Sequence, residues 1–289
     1  MTTTYGGFKG ITLNMVRAEK LARRVEVIFG RSETKHDKKK DAALAALLLL
    51  HDKVRDSSEK SYKRAMAHVV ALAEADVIKR NNSKQHAYYD ERNWKPDSNK
   101  SADDFAVVAL AVLGAAIAES YGKAAHNLAT IARGHDAGDL PTQAEEQEYA
   151  AQRVPLLEPF VRDTHTELWQ EAKAGAEQGE GEKEVRARVL KKGQEIEEGR
   201  GKVVAETETQ ATYGEAQARA LKRAGFATVT WATMEDDKVR PSHAEQDGTT
   251  VKIGDKFANG CRWPGDVLAP ISETINCRCW LLGGERTKP

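Results

Sequence analysis

Tyr62, Met66, Val69, Ala73 and Val77 recur at spacings of four, three, four and four. That period places all five on one face of an α-helix. The same logic extends along most of the chain. Residues 42–50 are apolar all round, which calls for burial on several sides. Residues 105–118 form a 14-residue apolar run, too short to span a bilayer and suited to a buried helix. Leu157, Val161 and Leu168 mark a further helix, and Val185, Val189 and Ile196 another that should end near Gly199 and Gly201. Ser101 followed by Asp104 reads as a capping box opening the helix that stops at Gly134. Residues 81–100 lack a period and read as a loop, 134–141 as a linker, and 175–184 as an acidic turn.

Charge is distributed unevenly. Residues 1–100 carry 21 Lys and Arg against 13 Asp and Glu, residues 101–210 carry 12 against 21, and residues 211–289 are nearly balanced. The basic front includes Lys35, Lys38, Lys39 and Lys40. With the glycines before them, these lysines suggest an arm over 1–40, with a short helix at 15–28, able to contact nucleic-acid phosphate. A solvated tail is the plainer reading. The N-terminus has no continuous apolar segment of secretory type, and three cysteines do not make a disulfide framework. A reducing cytosol is therefore the expected compartment.

The pattern changes after residue 202. Val203 opens a helix that should stop at Gly225. Glu208 has Val204, Ala205, Ala211 and Thr212 at its helical neighbour positions, so it emerges from an uncharged face and needs a partner from elsewhere. Val229 and Trp231 alternate as in a strand, Asp247-Gly248 is a hairpin-type turn, and Val251, Ile253 and Phe257 suggest a second strand. Residues 271–282 read as a closing strand. The fold class is α+β: an extended, mainly helical N-terminal region followed by a small helix-plus-antiparallel-sheet domain. The divisions are a basic arm at 1–40, a helical region at 41–140, a helical connector at 141–202 and the α+β domain at 203–289.

An ordered set of residues runs through that last domain. It comprises Thr207-Glu208-Thr209, Trp231, Asp237, Arg240, His243, Asp247-Gly248, Phe257, Asn259-Gly260, Pro264-Gly265-Asp266, Pro270 and Asn276-Cys277-Arg278-Cys279. It resembles the C-terminal domain of the phage Mu F-like minor head proteins, over about 203–282. Glu206 stands where that family usually has arginine. The resemblance implies a non-enzymatic structural protein of a tailed-phage virion. Such a protein sits in the head interior or at the portal vertex, and in the host cytoplasm during assembly. Portal protein, major capsid protein and packaged DNA are its implied partners, with a role in assembly, packaging or ejection and no membrane span.

Three readings of the motif's chemistry stay open. Cys277 and Cys279, two apart on an extended segment, share a face and could hold a structural zinc with His243 and Cys261. The intervals of 18 and 16 residues around Cys261 are not those of tight zinc modules. Alternatively, Glu208, Asp237, Arg240, His243, Asp247 and Arg278 form a polar network. In it Arg240 or Arg278 faces Glu208, Asp237 orients His243, and the cysteines are merely buried. The third is catalytic, with Asp237, His243 and Asp247 on a hydrolytic metal.

Overall fold

The computed structural model describes residues 35–82, 98–132, 142–234 and 236–285. Among them, five long helices precede a small sheet: α1 Lys35–Asn82, α2 Ser98–Ala132, α3 Gln143–Glu177, α4 Glu182–Ile196 and α5 Lys202–Arg223. The strands are β1 Thr228–Ala232, β2 Thr250–Lys252 and β3 Trp280–Gly283. Single helical turns α6, Pro241–Ala244, and α7, Ile271–Thr274, lie between them. The expected helix at 15–28 and linker at 134–141 fall outside the described residues, as does most of the 81–100 loop.

The helices pack around one apolar core. Tyr62, Met66, Val69, Ala73 and Val77 are all buried there, so the stripe read in the sequence is the inner face of α1. Ala109, Leu113, Ile117 and Tyr121 of α2 meet it, with Leu157, Val161 and Leu168 of α3 and Val185, Val189 and Ile196 of α4. In α2 the segment Ala102–His126 is long and apolar enough to cross a membrane by length and composition, more than the 14-residue run suggested. Here it lies between α1, α3 and α5 as a wall of this core.

Several boundaries differ from the sequence reading. Helix α1 begins at Lys35, so Lys35, Lys38, Lys39 and Lys40 stand in its first turns rather than on an arm. Helix α2 begins at Ser98, which puts Ser101 and Asp104 inside it. The capping box falls instead at α3, where Glu145 N donates to Thr142 Oγ1 and Thr142 N donates to Glu145 Oε2. Gly199 and Gly201 do not end a helix. They lie in a π-helical segment, Glu197–Gly201, that carries the chain from α4 into α5. Gly201 is buried, and a Cβ there would press on Ile196 O at 3.3 Å, so the glycine allows close packing where a stop was expected. Helix α5 does end as read: Gly225 N and Phe226 N donate back to Lys222 O and Leu221 O, a Schellman closure.

The sheet is antiparallel in the order β2-β1-β3, with Val229 opposite Val251 and Trp231 opposite Leu281. Alternation along β1 sends Val229 and Trp231 into a second, smaller core with Phe257, Leu281 and the three cysteines. Ala232 and Trp280 face the helical core. The closing strand is shorter than expected, because residues 271–274 form α7 and pairing starts only at Trp280. Phe257 belongs to the small core but lies beyond β2.

Candidate functional site

Helix α5 carries Thr207-Glu208-Thr209 between the two cores. Glu208 is buried, as its apolar neighbours required, but its partner is neither Arg240 nor Arg278. Arg153 of α3 reaches it with two bonds, Nε to Oε2 at 2.9 Å and Nη2 to Oε1. Each side chain of the pair is only 4% exposed. Burial opposes the Arg153 charge, and the adjacent Glu208 carboxylate more than offsets it, so the guanidinium stays charged. One turn on, Thr212 Oγ1 receives the Tyr149 hydroxyl at 3.1 Å and shares a 2.6 Å hydrogen bond with the Tyr62 hydroxyl. Burial pushes both phenols well up, so they remain neutral. These contacts fasten the motif helix to α1 and α3.

The other side of α5 holds the sheet. Gln210 Nε2 donates to Cys279 O at 2.8 Å. Gln217 donates to Leu281 O and accepts from Leu281 N, both at 2.8 Å. Strand β3 lies at the sheet's edge, and Gln217 pairs its exposed backbone as a neighbouring strand would. Backbone meets backbone where the Pro264-Gly265-Asp266 loop crosses α5. A Cβ on Gly214 would stand 1.9 Å from Pro264 O. One on Gly265, at φ +83°, would stand 2.9 Å from Gln210 O. Only glycine fits at either place.

Asp266 is fully buried and shapes that loop. It accepts from Arg262 Nε and Nη2 and from the backbone N–H groups of Arg262 and Leu268, at 2.8–3.0 Å. Burial would raise its carboxyl, but the Arg262 bonds outweigh this and hold it below the usual aspartate value. The remaining motif charges are each committed separately. Arg240 donates to Ser272 O and Ile275 O, capping the carbonyls around α7. Arg278 pairs bidentately with Asp236 at 2.6 and 2.7 Å. Asp247 Oδ1 accepts from Thr233 N at 2.7 Å, where the chain leaves β1. Asp237 is exposed; its neighbour Asp236 pairs with Arg278, and the carboxylate beside His243 is Glu273. Asp237, His243 and Asp247 therefore do not converge on one point as a hydrolytic metal would require.

His243 does converge with the cysteines. Its Nδ1 stands 3.7 Å from Cys277 Sγ and 3.4 Å from Cys279 Sγ. The three donor atoms lie within 4.8 Å of one another, and all three residues are buried. Residues 277, 279 and 281 alternate onto one face, so both thiols look towards the imidazole while Arg278 turns out to Asp236. The Trp231 ring meets His243 edge-on, with centroids 5.1 Å apart, and walls the group from water. On the far side His243 Nε2 lies 3.1 Å from Glu273 Oε2, a close contact without the alignment of a full hydrogen bond. Ser242 Oγ holds the same carboxylate oxygen at 2.8 Å.

Burial alone would raise the Cys277 thiol, but the bonds from Cys279 and His243 and the imidazole's field bring it well below the ordinary value. Cys279 moves the opposite way, raised first by the Cys277 sulfur and then by burial. Cys261 shares the small core but is outside the three-atom group, and burial pushes its thiol up to about 12.

Arg153, Glu273, Asp236, Gln210 and Gln217 were not singled out in the sequence. Arg153 had a legible signal: Tyr149, Ala150, Leu156 and Leu157 surround it on the helix, as uncharged as the neighbours of Glu208. The others bond through tertiary contacts that local pattern does not show.

The architecture defines a class: a helical stem sharing one helix with a small α+β domain, whose last strand brings a buried Cys-x-Cys pair to a histidine. Residues 166–282, in the C-terminal region, match the family model described as Phage Mu protein F like protein. The match begins within α3, upstream of the residues that carry the motif. No significant match appears among curated proteins or among solved structures.

Proposed function

We propose that this chain is a phage head morphogenesis protein: a minor, non-enzymatic component of the virion, held inside the head and docked on the portal or capsid during assembly. The matched domain at 166–282 is the observation that carries the reading. The internal chemistry of the domain agrees with a structural part. Its buried or half-buried charges serve the fold: Glu208 on Arg153, Asp266 on Arg262, Arg278 on Asp236 and Arg240 on backbone carbonyls. Such bonds fix the geometry of a thin-cored domain.

The test is mass spectrometry of purified procapsids and mature particles from cells producing the phage that encodes this chain. The reading expects the chain in the particle at low copy number relative to the major capsid protein. Absence from both particle types overturns it.

A further inference from the structure

We propose that His243, Cys277 and Cys279 are three protein ligands of a structural zinc ion, with Glu273 as the carboxylate that orients the histidine. The argument starts from distances. Zinc binds thiolate sulfur at about 2.3 Å and imidazole nitrogen at about 2.0–2.1 Å in tetrahedral geometry. A nitrogen and a sulfur on two corners of that tetrahedron are then about 3.6 Å apart. The observed Nδ1–Sγ separations, 3.7 and 3.4 Å, bracket this value. Both nitrogen–sulfur edges therefore already have the length that a tetrahedral zinc site requires, and the third donor pair lies within 4.8 Å.

A second observation points the same way. A metal-bound histidine characteristically gives its other ring N–H to a carboxylate, which sets the tautomer and the ring plane. Here Nδ1 faces the sulfurs and Nε2 faces Glu273 at 3.1 Å, while Ser242 fixes that carboxylate in turn. Cys261 stands apart from this three-atom group, so His243, Cys277 and Cys279 are the ligands that the domain supplies.

The consequence is mechanical. His243 sits on α6 and the cysteines directly precede β3, so the ion staples the two ends of the 244–276 excursion beneath the sheet. In a domain with so small a core, that link contributes directly to folding.

The experiment uses the full chain without an affinity tag, purified without chelators. Elemental analysis should find stoichiometric zinc. Cobalt(II) exchanged into the protein should show the near-ultraviolet charge-transfer band of thiolate ligation. Glu273→Gln should keep the fold and weaken zinc by about 10–100-fold in competition with a chromophoric chelator. Cys261→Ser should keep the metal in full. Wild-type protein that is metal-free as purified and takes up neither zinc nor cobalt on titration overturns the proposal. So does unchanged affinity in Glu273→Gln, or loss of metal in Cys261→Ser. These results are independent of whether the chain is found in virions.

Discussion

The Arg153–Glu208 pair offers the sharpest test of how the motif helix is held. Glu208→Leu removes the carboxylate and leaves a guanidinium whose side chain is only 4% exposed, with both of its charged hydrogen bonds gone. Breaking one side of a buried pair costs about 3–5 kcal/mol, because the remaining charge is neither solvated nor compensated. At roughly 2–4 °C per kcal/mol for a unit of this size, the melting temperature should fall by about 6–20 °C. The double variant Arg153→Met with Glu208→Leu removes both desolvation penalties. It should return to within about 1 kcal/mol of wild type or exceed it. Urea denaturation of the wild type, Glu208→Leu, Arg153→Met and the double variant, followed by far-ultraviolet circular dichroism, gives the coupling energy directly. A cost below about 1 kcal/mol for Glu208→Leu alone, the range of exposed ion pairs, would refute the buried-pair argument.

Three further outcomes concern two glycines and the loop against α5. Gly214→Ala should destabilise by at least about 1–3 kcal/mol, because the new Cβ meets Pro264 O. Gly199→Ala, with nothing within 4 Å of the added carbon, should be neutral or mildly stabilising in the same urea assay. Asp266 holds its proton less readily folded than unfolded, so its contribution is present above its ordinary value of 3.8 and drains away as pH falls through the lower folded value. Asp266→Asn should cost about 1.5–3 kcal/mol near neutral pH and flatten the acid loss below about pH 4. An unchanged acid limb would show that Asp266 is not charged in the fold.

The helical half was readable because its apolar spacing is regular: the α1 stripe and the paired markers of α3 and α4 are all buried as their period required. Ends were less readable, because the cues that set them are shared with close packing. Gly201 carries the same letter as a stop signal but serves contact with Ile196. Within the motif, single-residue logic went half the distance. It identified Glu208 as needing a partner, yet offered Arg240 and Arg278, which belong to the same small domain. The partner, Arg153, stands 55 positions away across the bundle. The cysteine pair was legible in orientation, since alternation alone aims both sulfurs the same way. The position of Glu273 behind His243 was not, because it depends on α7, a turn the sequence reads as strand.

Helix α5 has two dry faces. Ala205 and Tyr213 belong to the stem, while Ala218 and the clamps on Cys279 and Leu281 belong to the small domain. The boundary read at residue 203 therefore falls beside a wall common to both rooms. A fragment begun there would turn Glu208 and Tyr213 towards water and forfeit Arg153 altogether. For anyone transplanting this module between chains, the natural seam lies upstream of Gln143, where α3 can travel with the helix it supports.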